Sequence, residues 1–207
     1  GNHSFKADSQ TFDAYVRNDE GIGWLLVGRG RNGWEFDSDG QGTLASVGVA
    51  QDLGTSAAFA PALYSDSIIN DLIGNSDIDL TNVEIRFRRA GDSTGTDPYQ
   101  EARWRPTTQT SWIGQFDSNY DVEQEIISGI GGPTETRNTN SRDAQPTGNN
   151  FTRIFTWAWS GHAYQQGFSY GAVTTDGSNN STNFWWENGI ENHALAYTEV
   201  YIRSLVP

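Results

Sequence analysis

The side chains in this chain that could do chemistry are mostly carboxylates and indoles, and they gather in polar segments. Trp34-Glu35-Phe36-Asp37-Ser38-Asp39-Gly40 sets Asp37 and Asp39 two residues apart before a glycine. Such carboxylates can converge on one hard cation in a tight loop, or can simply form a solvated Asp turn. A second oxygen-rich cluster spans residues 117–123, with Asp117 and Asp121 as its ligand candidates. A third, Thr175-Asp176-Gly177-Ser178-Asn179-Asn180, offers Asp176 and Asn179. Oxygen donors of this kind suit Ca2+.

Near the end of the chain, Trp185-Trp186-Glu187 precedes His193, Tyr197 and Glu199. Neighbouring residues of a strand point to opposite faces, so Trp185 and Trp186 cannot both enter one core. Either one of them forms an exposed aromatic plate suited to a sugar or a peptide, or loops shield both. A lone histidine such as His193 is often structural, but Glu187, Asn188, Glu191, Asn192 and Glu199 surround it with oxygens. Trp185, Trp186, Glu187, His193 and Tyr197 are therefore taken as candidate ligand-binding residues, and Glu199 as a candidate cation ligand.

The familiar catalytic motifs are missing. The sequence has no Gly-x-Ser-x-Gly elbow, no phosphate-cradling Gly-Lys-Ser/Thr loop and no His-Glu-x-x-His zinc motif. Gly28-Arg29-Gly30-Arg31-Asn32-Gly33 matches G-x-G-x-x-G, but Trp34-Glu35-Phe36 follows instead of a helix, which removes the nucleotide reading. A carboxylate pair for glycoside hydrolysis stays open among 26 acidic residues, with no pair singled out. The absence of cysteine excludes a disulfide framework, a thiol nucleophile and Cys-ligated zinc.

Charge narrows the partners. Thirteen Lys and Arg face 26 Asp and Glu, a formal charge of −13 in 207 residues. That disfavours nucleic acid and anionic membranes, and permits divalent cations. No apolar run approaches the roughly 18–20 residues that span a bilayer. Methionine is absent, position 1 included, which suggests a piece of a longer polypeptide. Only 35% of residues are hydrophobic, yet 8 Trp, 8 Tyr and 10 Phe can bury a large area. One domain covers the chain, with residues 1–9 as a polar, flexible lead-in.

The elements that position these residues follow from periodicity. Phe12, Ala14 and Val16 alternate with Asp13, Tyr15 and Arg17, predicting a half-buried strand. Asn18-Asp19-Glu20-Gly21 predicts a turn, and Trp24-Leu25-Leu26-Val27 a strand buried on both faces, broken by Gly28, Gly30 and Gly33. Ile68, Ile69, Leu72 and Ile73 fall on one helical face, with Ser65 or Asp66 as N-cap and Gly74 as terminator. Val83, Ile85 and Phe87 alternate with Glu84, Arg86 and Arg88, predicting a strand with one wet face. Residues 129–150 hold almost no apolar side chain beyond Ile130 and predict a long surface loop. Strands are expected again from Phe151 and over Gly167-Phe168-Ser169-Tyr170-Gly171.

Two stretches carry a resemblance. Phe12, Tyr15, Asp19-Glu20-Gly21, Gly23-Trp24 and Val27-Gly28-Arg29, followed by the helix at 67–72 and the strand at 83–88, resemble the opening of a fibrinogen-like C-terminal globe. Trp186, Gly189, His193, Thr198, Glu199 and Arg203 are similar to the end of the intelectin branch of that family. The resemblance implies an α+β fibrinogen-like domain, with mixed, mainly antiparallel sheets, short helices and long calcium-binding loops. It further implies that His193 and Glu199 help to hold a Ca2+ that captures sugar diols. The missing cysteines and the acidity resemble the ligand-binding domains of large bacterial RTX-type adhesins. The expected function is thus calcium-dependent adhesion at the cell surface, by a non-enzymatic, monomeric module of a longer chain that binds peptide termini or glycans of a host or neighbouring cell. A carboxylate-based glycan hydrolase and a structural spacer are the alternatives.

Overall fold

The computed structural model describes residues 1–30, 39–47, 62–74, 79–90, 99–107, 110–112, 122–127, 135–139, 142–145, 151–154, 167–171, 184–185 and 198–206. The chain opens with three strands, β1 (Asn2–Ala7), β2 (Gln10–Asp19) and β3 (Ile22–Gly30). Helix α1 (Leu44–Val47), the short strand β4 (Ala62–Leu63) and helix α2 (Asp66–Ile73) come next. A 3-10 turn at Leu80–Asn82 leads into β5 (Val83–Ala90), and β6 (Tyr99–Pro106) follows it. Beyond these lie β7 (Val122–Ile127), β8 (Glu135–Thr139), β9 (Arg142–Gln145), β10 (Phe151–Ile154), β11 (Gly167–Gly171), β12 (Phe184–Trp185) and the closing strand β13 (Thr198–Ser204).

Among the described residues every strand pairing is antiparallel. A nine-stranded sheet runs β1-β2-β3-β13-β5-β6-β7-β8, with β4 also on β3, and a four-stranded sheet runs β12-β11-β10-β9. This corrects the α+β, fibrinogen-like expectation: the protein is mostly antiparallel sheet, and its described helices are two short ones. The physical reason lies in backbone pairing. Polar stretches with no clear apolar alternation still complete a sheet once a neighbouring strand offers its amide and carbonyl groups. Residues 129–150 illustrate this, since the expected surface loop contains β8 and β9.

The last strand in sequence sits in the middle of the large sheet. β13 pairs β3 on one side and β5 on the other, with Val200 opposite both Gly28 and Phe87. Gly28 is expected to break β3, yet the strand runs through it to Gly30. At Gly28 the backbone pairs with Leu63 of β4 on one side and Val200 of β13 on the other.

One face of this sheet carries the apolar core. Phe12, Ala14, Val27, Val83, Ile85, Phe87, Trp104, Val200 and Ile202 form one cluster with Ile68, Ile69 and Ile73 of α2 and with Trp112. Phe87 and Trp104 stack with ring centroids 5.8 Å apart. Helix α2 matches its predicted face. Ser65 accepts a hydrogen bond from the Ile68 amide at 3.4 Å, and the cap backbone N–H of Gly74 bonds the Asn70 carbonyl. Helix α1 is held from below by Arg29, whose buried guanidinium donates to the Ser46 carbonyl from both Nε and Nη2. A cation at a helix C-terminus also meets the negative end of its dipole.

The lead-in at 1–9 is a strand. β1 pairs β2 over six positions, from Asn2 opposite Tyr15 to Ala7 opposite Gln10. Its turn uses Asp8 at φ 49° and Ser9 at φ 61°, so no glycine marks it in the sequence. Tertiary bonds hold that strained turn: the Asp8 amide donates to Asp71 Oδ2 at 2.7 Å, and Ser67 Oγ donates to Asp8 Oδ2 at 3.2 Å.

Gly40 joins the Asp39 turn to α2. Its φ is +81°, and a Cβ there would lie 3.1 Å from Ser65 Cα. Gly40→Ala should therefore destabilise the protein by about 1–3 kcal/mol in urea unfolding. Gly21→Ala shares the positive φ but meets nothing within 4 Å, and should cost only about 1 kcal/mol.

Candidate functional site

The face of the large sheet opposite the apolar core is charged and largely shut from solvent. The sequence predicts a wet face for Glu84, Arg86 and Arg88, but Arg86 and Arg88 are only 4% and 8% exposed. Cross-strand register explains how they are tolerated. Arg88 lies directly between Glu199 of β13 and Glu101 of β6. Arg86, two residues on, lies between Tyr201 and Arg103, and Glu84 lies opposite Arg203. Side chains two apart share a face, so the strands present alternating rows of charge.

The rows are tied by short ion pairs. Arg86 donates from Nη2 to Glu101 Oε2 at 2.7 Å and from Nη1 to Asp19 Oδ2 at 2.6 Å. Arg103 Nε reaches the other Glu101 oxygen at 2.7 Å. Arg17 Nε closes on both Asp19 oxygens at 2.8 and 2.9 Å. Arg88 stands 3.3 Å from Glu199 through Nη1 and 3.6 Å from Glu101 through Nε. Arg203 pairs with Glu84. Among the described residues, five guanidiniums here meet four carboxylates.

Trp24 sits at the centre of this lattice. Three guanidinium carbons lie over its ring, those of Arg203 at 4.8 Å, Arg86 at 5.0 Å and Arg103 at 5.4 Å. The choice of arginine follows from chemistry, since a planar guanidinium can stack on an indole while its edge binds carboxylates. The chain has twelve arginines and a single lysine, Lys6. Titration reflects the packing. Burial alone would raise the Asp19 carboxyl, but hydrogen bonds from Arg86 and Arg17 outweigh it and hold its pKa below the ordinary value. Burial pushes the Tyr201 phenol well up, and the Glu199 carboxylate pushes it further.

The ends of the strands define the second feature of the site. Thr198 pairs with Gly30 and with Arg89, and Arg89 pairs with Gln100. Ile127 lies opposite Glu101, and Ile126 opposite Glu135. The chain therefore enters segments 31–38, 91–98 and 128–134, and returns from 186–197, at one end of the sheet. Segment 31–38 contains Asp37, and 186–197 contains Trp186, Glu187, His193 and Tyr197. Pro106 pairs with Val122, so residue 121 precedes a strand that starts at the opposite end.

Of the residues singled out from sequence, three lie in described parts of the chain. Asp39 is exposed, and its Oδ1 accepts from the amide of Asp66 at 2.8 Å, at the first turn of α2. A carboxylate there meets the positive end of the helix dipole. Glu199 lies buried beside Arg88. Trp185 ends β12, opposite Gly167 of β11. Asp37, Asp117, Asp121, Asp176, Asn179, Trp186, Glu187, His193 and Tyr197 lie outside the described residues. Among the described residues no three His, Asp or Glu side chains form a group suited to a metal ion.

Sequence reasoning missed the arginine lattice. Its signal was present in Glu84-Ile85-Arg86-Phe87-Arg88 and Glu101-Ala102-Arg103-Trp104, two alternating charged strands of mixed sign in a chain with almost no lysine. Comparison with protein-family models finds no match, and comparison with curated proteins finds no significant similarity.

Proposed function

We propose that the protein is a calcium-dependent ligand-binding module of a cell-surface adhesin, and that its ligand site lies at the end of the large sheet marked by Gly30, Arg89, Ile127 and Thr198. The observation that carries this reading is the pairing of Thr198 with Gly30 and Arg89, because it sets side by side the residue that precedes 31–38 in sequence and the residue that follows 186–197. Binding sites are commonly built from loops on a rigid scaffold, and the ion-paired sheet supplies that rigidity. The net charge of −13, set beside five guanidiniums committed to four carboxylates on one face, leaves the acidic excess elsewhere in the chain, available to divalent cations. The ligand is a peptide terminus or a glycan, either of which a bound Ca2+ can engage through carboxylate or hydroxyl oxygens.

Thermal melts in CaCl2 and in EDTA, with calorimetric calcium titration, test the cation. At a hundredfold excess over Kd, Ca2+ should stabilise the fold by about 2.7 kcal/mol. No shift and no heat would overturn the calcium mechanism. Peptide and glycan arrays with and without Ca2+ then test the ligand. Turnover of a soluble glycan, lost on changing one carboxylate, would favour a hydrolase. Calcium binding with no array signal would favour a spacer.

A further inference from the structure

We infer that Glu199 is a positioning residue, the anionic end of the arginine lattice, and that it stands outside any cation-binding set at the end of the sheet where Gly30, Arg89 and Thr198 lie. The inference rests on the proposed location of the ligand site, because it concerns the strand that begins there.

Three observations carry the inference. The row Glu199–Arg88–Glu101 is set by register across β13, β5 and β6, so Arg88 faces both carboxylates from the strand between them. Arg88 also faces a second carboxylate: its Nε lies 3.6 Å from the same Glu101 oxygen that Arg86 bonds at 2.7 Å. A cation taking the Glu199 oxygen at 3.3 Å from Arg88 Nη1 would either sit beside that guanidinium or expel it from a site only 8% exposed. Both outcomes are unfavourable, since like charges repel strongly where water is excluded and a buried guanidinium needs its counter-charge. Among the described residues, this face sets five guanidiniums against four carboxylates, so each of those carboxylates already has a cation beside it.

The role left to Glu199 is mechanical. It is the second residue of β13, next to Thr198, where the chain returns from 186–197. Pairing with Arg88 pins that point against β5. The first residues of β13 are thereby fixed in place.

The test uses the whole chain. Glu199→Gln keeps the shape and removes the charge, Glu199→Asp keeps the charge, and Arg88→Gln removes the partner. Calorimetric titration with CaCl2 should find the same number of bound ions in wild type and in Glu199→Gln, and loss of one ion in the variant would overturn the inference. In melts run in EDTA, Glu199→Gln should lower Tm, and Glu199→Asp should recover part of the loss. The double variant Arg88→Gln/Glu199→Gln should melt no lower than Arg88→Gln alone, because the pair acts as a unit. Additive losses would overturn the pairing. Absence of calcium binding in wild type would remove the calcium mechanism, and the melts would still decide the role of Glu199.

Discussion

Replacing Arg86 with Met should lower the unfolding free energy at neutral pH by about 3 kcal/mol, the lower end of what removing one partner from a buried ion pair costs. Met keeps most of the aliphatic length, so the loss is mainly electrostatic. Asp19 loses its 2.6 Å partner and Glu101 one of its 2.7 Å partners. Arg17 still holds Asp19, and Arg103 still holds Glu101, which keeps the figure at the low end. The pH profile gives a second readout with a definite sign. In the wild type the Asp19 pKa is held below its unfolded value, so its contribution is present above the unfolded carboxylate pKa and fades as pH falls through the folded one. Arg86→Met removes the larger of the two hydrogen bonds that lower it. The variant should therefore lose less stability on acidification than the wild type does. Denaturant unfolding across the acidic range measures both effects. A second substitution, Glu101→Gln, placed on top of Arg86→Met should cost less than it does alone, because the two groups share one network.

Trp24→Ala should be at least as damaging, by about 3–5 kcal/mol, the range for emptying a buried aromatic site. Trp24 is 1% exposed and packs with Leu26 and Tyr201. The indole also serves three guanidiniums at 4.8–5.4 Å, so its loss leaves the lattice without the surface it rests on. Trp24→Phe retains a ring and should recover most of the loss, since Phe still fills the site and still presents a π face, though a weaker one. Equal losses in the two variants would show that the guanidiniums take nothing from the ring. Chemical denaturation followed by circular dichroism reads both, and is independent of the other tryptophans.

These two residues show where sequence reasoning reached and where it stopped. Trp24 was recognised as part of a strand buried on both faces, because Trp24-Leu25-Leu26-Val27 leaves no polar side to turn outward. Arg86 was placed on the wet face of its strand, because a run of alternating charge usually faces water. What buried it was the arrival of Glu101 from β6, of Tyr201 from β13 and of Asp19 from β2, the last 67 residues away in the chain. Partners that distant leave no local periodicity. The same limit explains β1, whose glycine-free turn is held in place by Asp71 and Ser67 of α2.

The candidate site divides in a similar way. Asp39 was legible as a carboxylate before a glycine turn, but only the approach of α2 decided that it would accept the Asp66 amide. Glu199 was legible as a carboxylate and candidate cation ligand near aromatic residues, and its partner Arg88 was not.

By itself the sequence determined the local elements whose side chains declare one face: the β2–β3 hairpin, the amphipathic helix α2 with its Ser65 cap, and the alternating strand β5. It also determined the acidity and the lack of cysteine that limit the chemistry. The tertiary structure alone decided that the final strand enters the middle of the sheet, that polar stretches become strands, and that the charged face is closed. Side-chain period is a local property of the chain, whereas strand order and charge pairing depend on which distant segments meet, and that is settled only when the whole sheet forms.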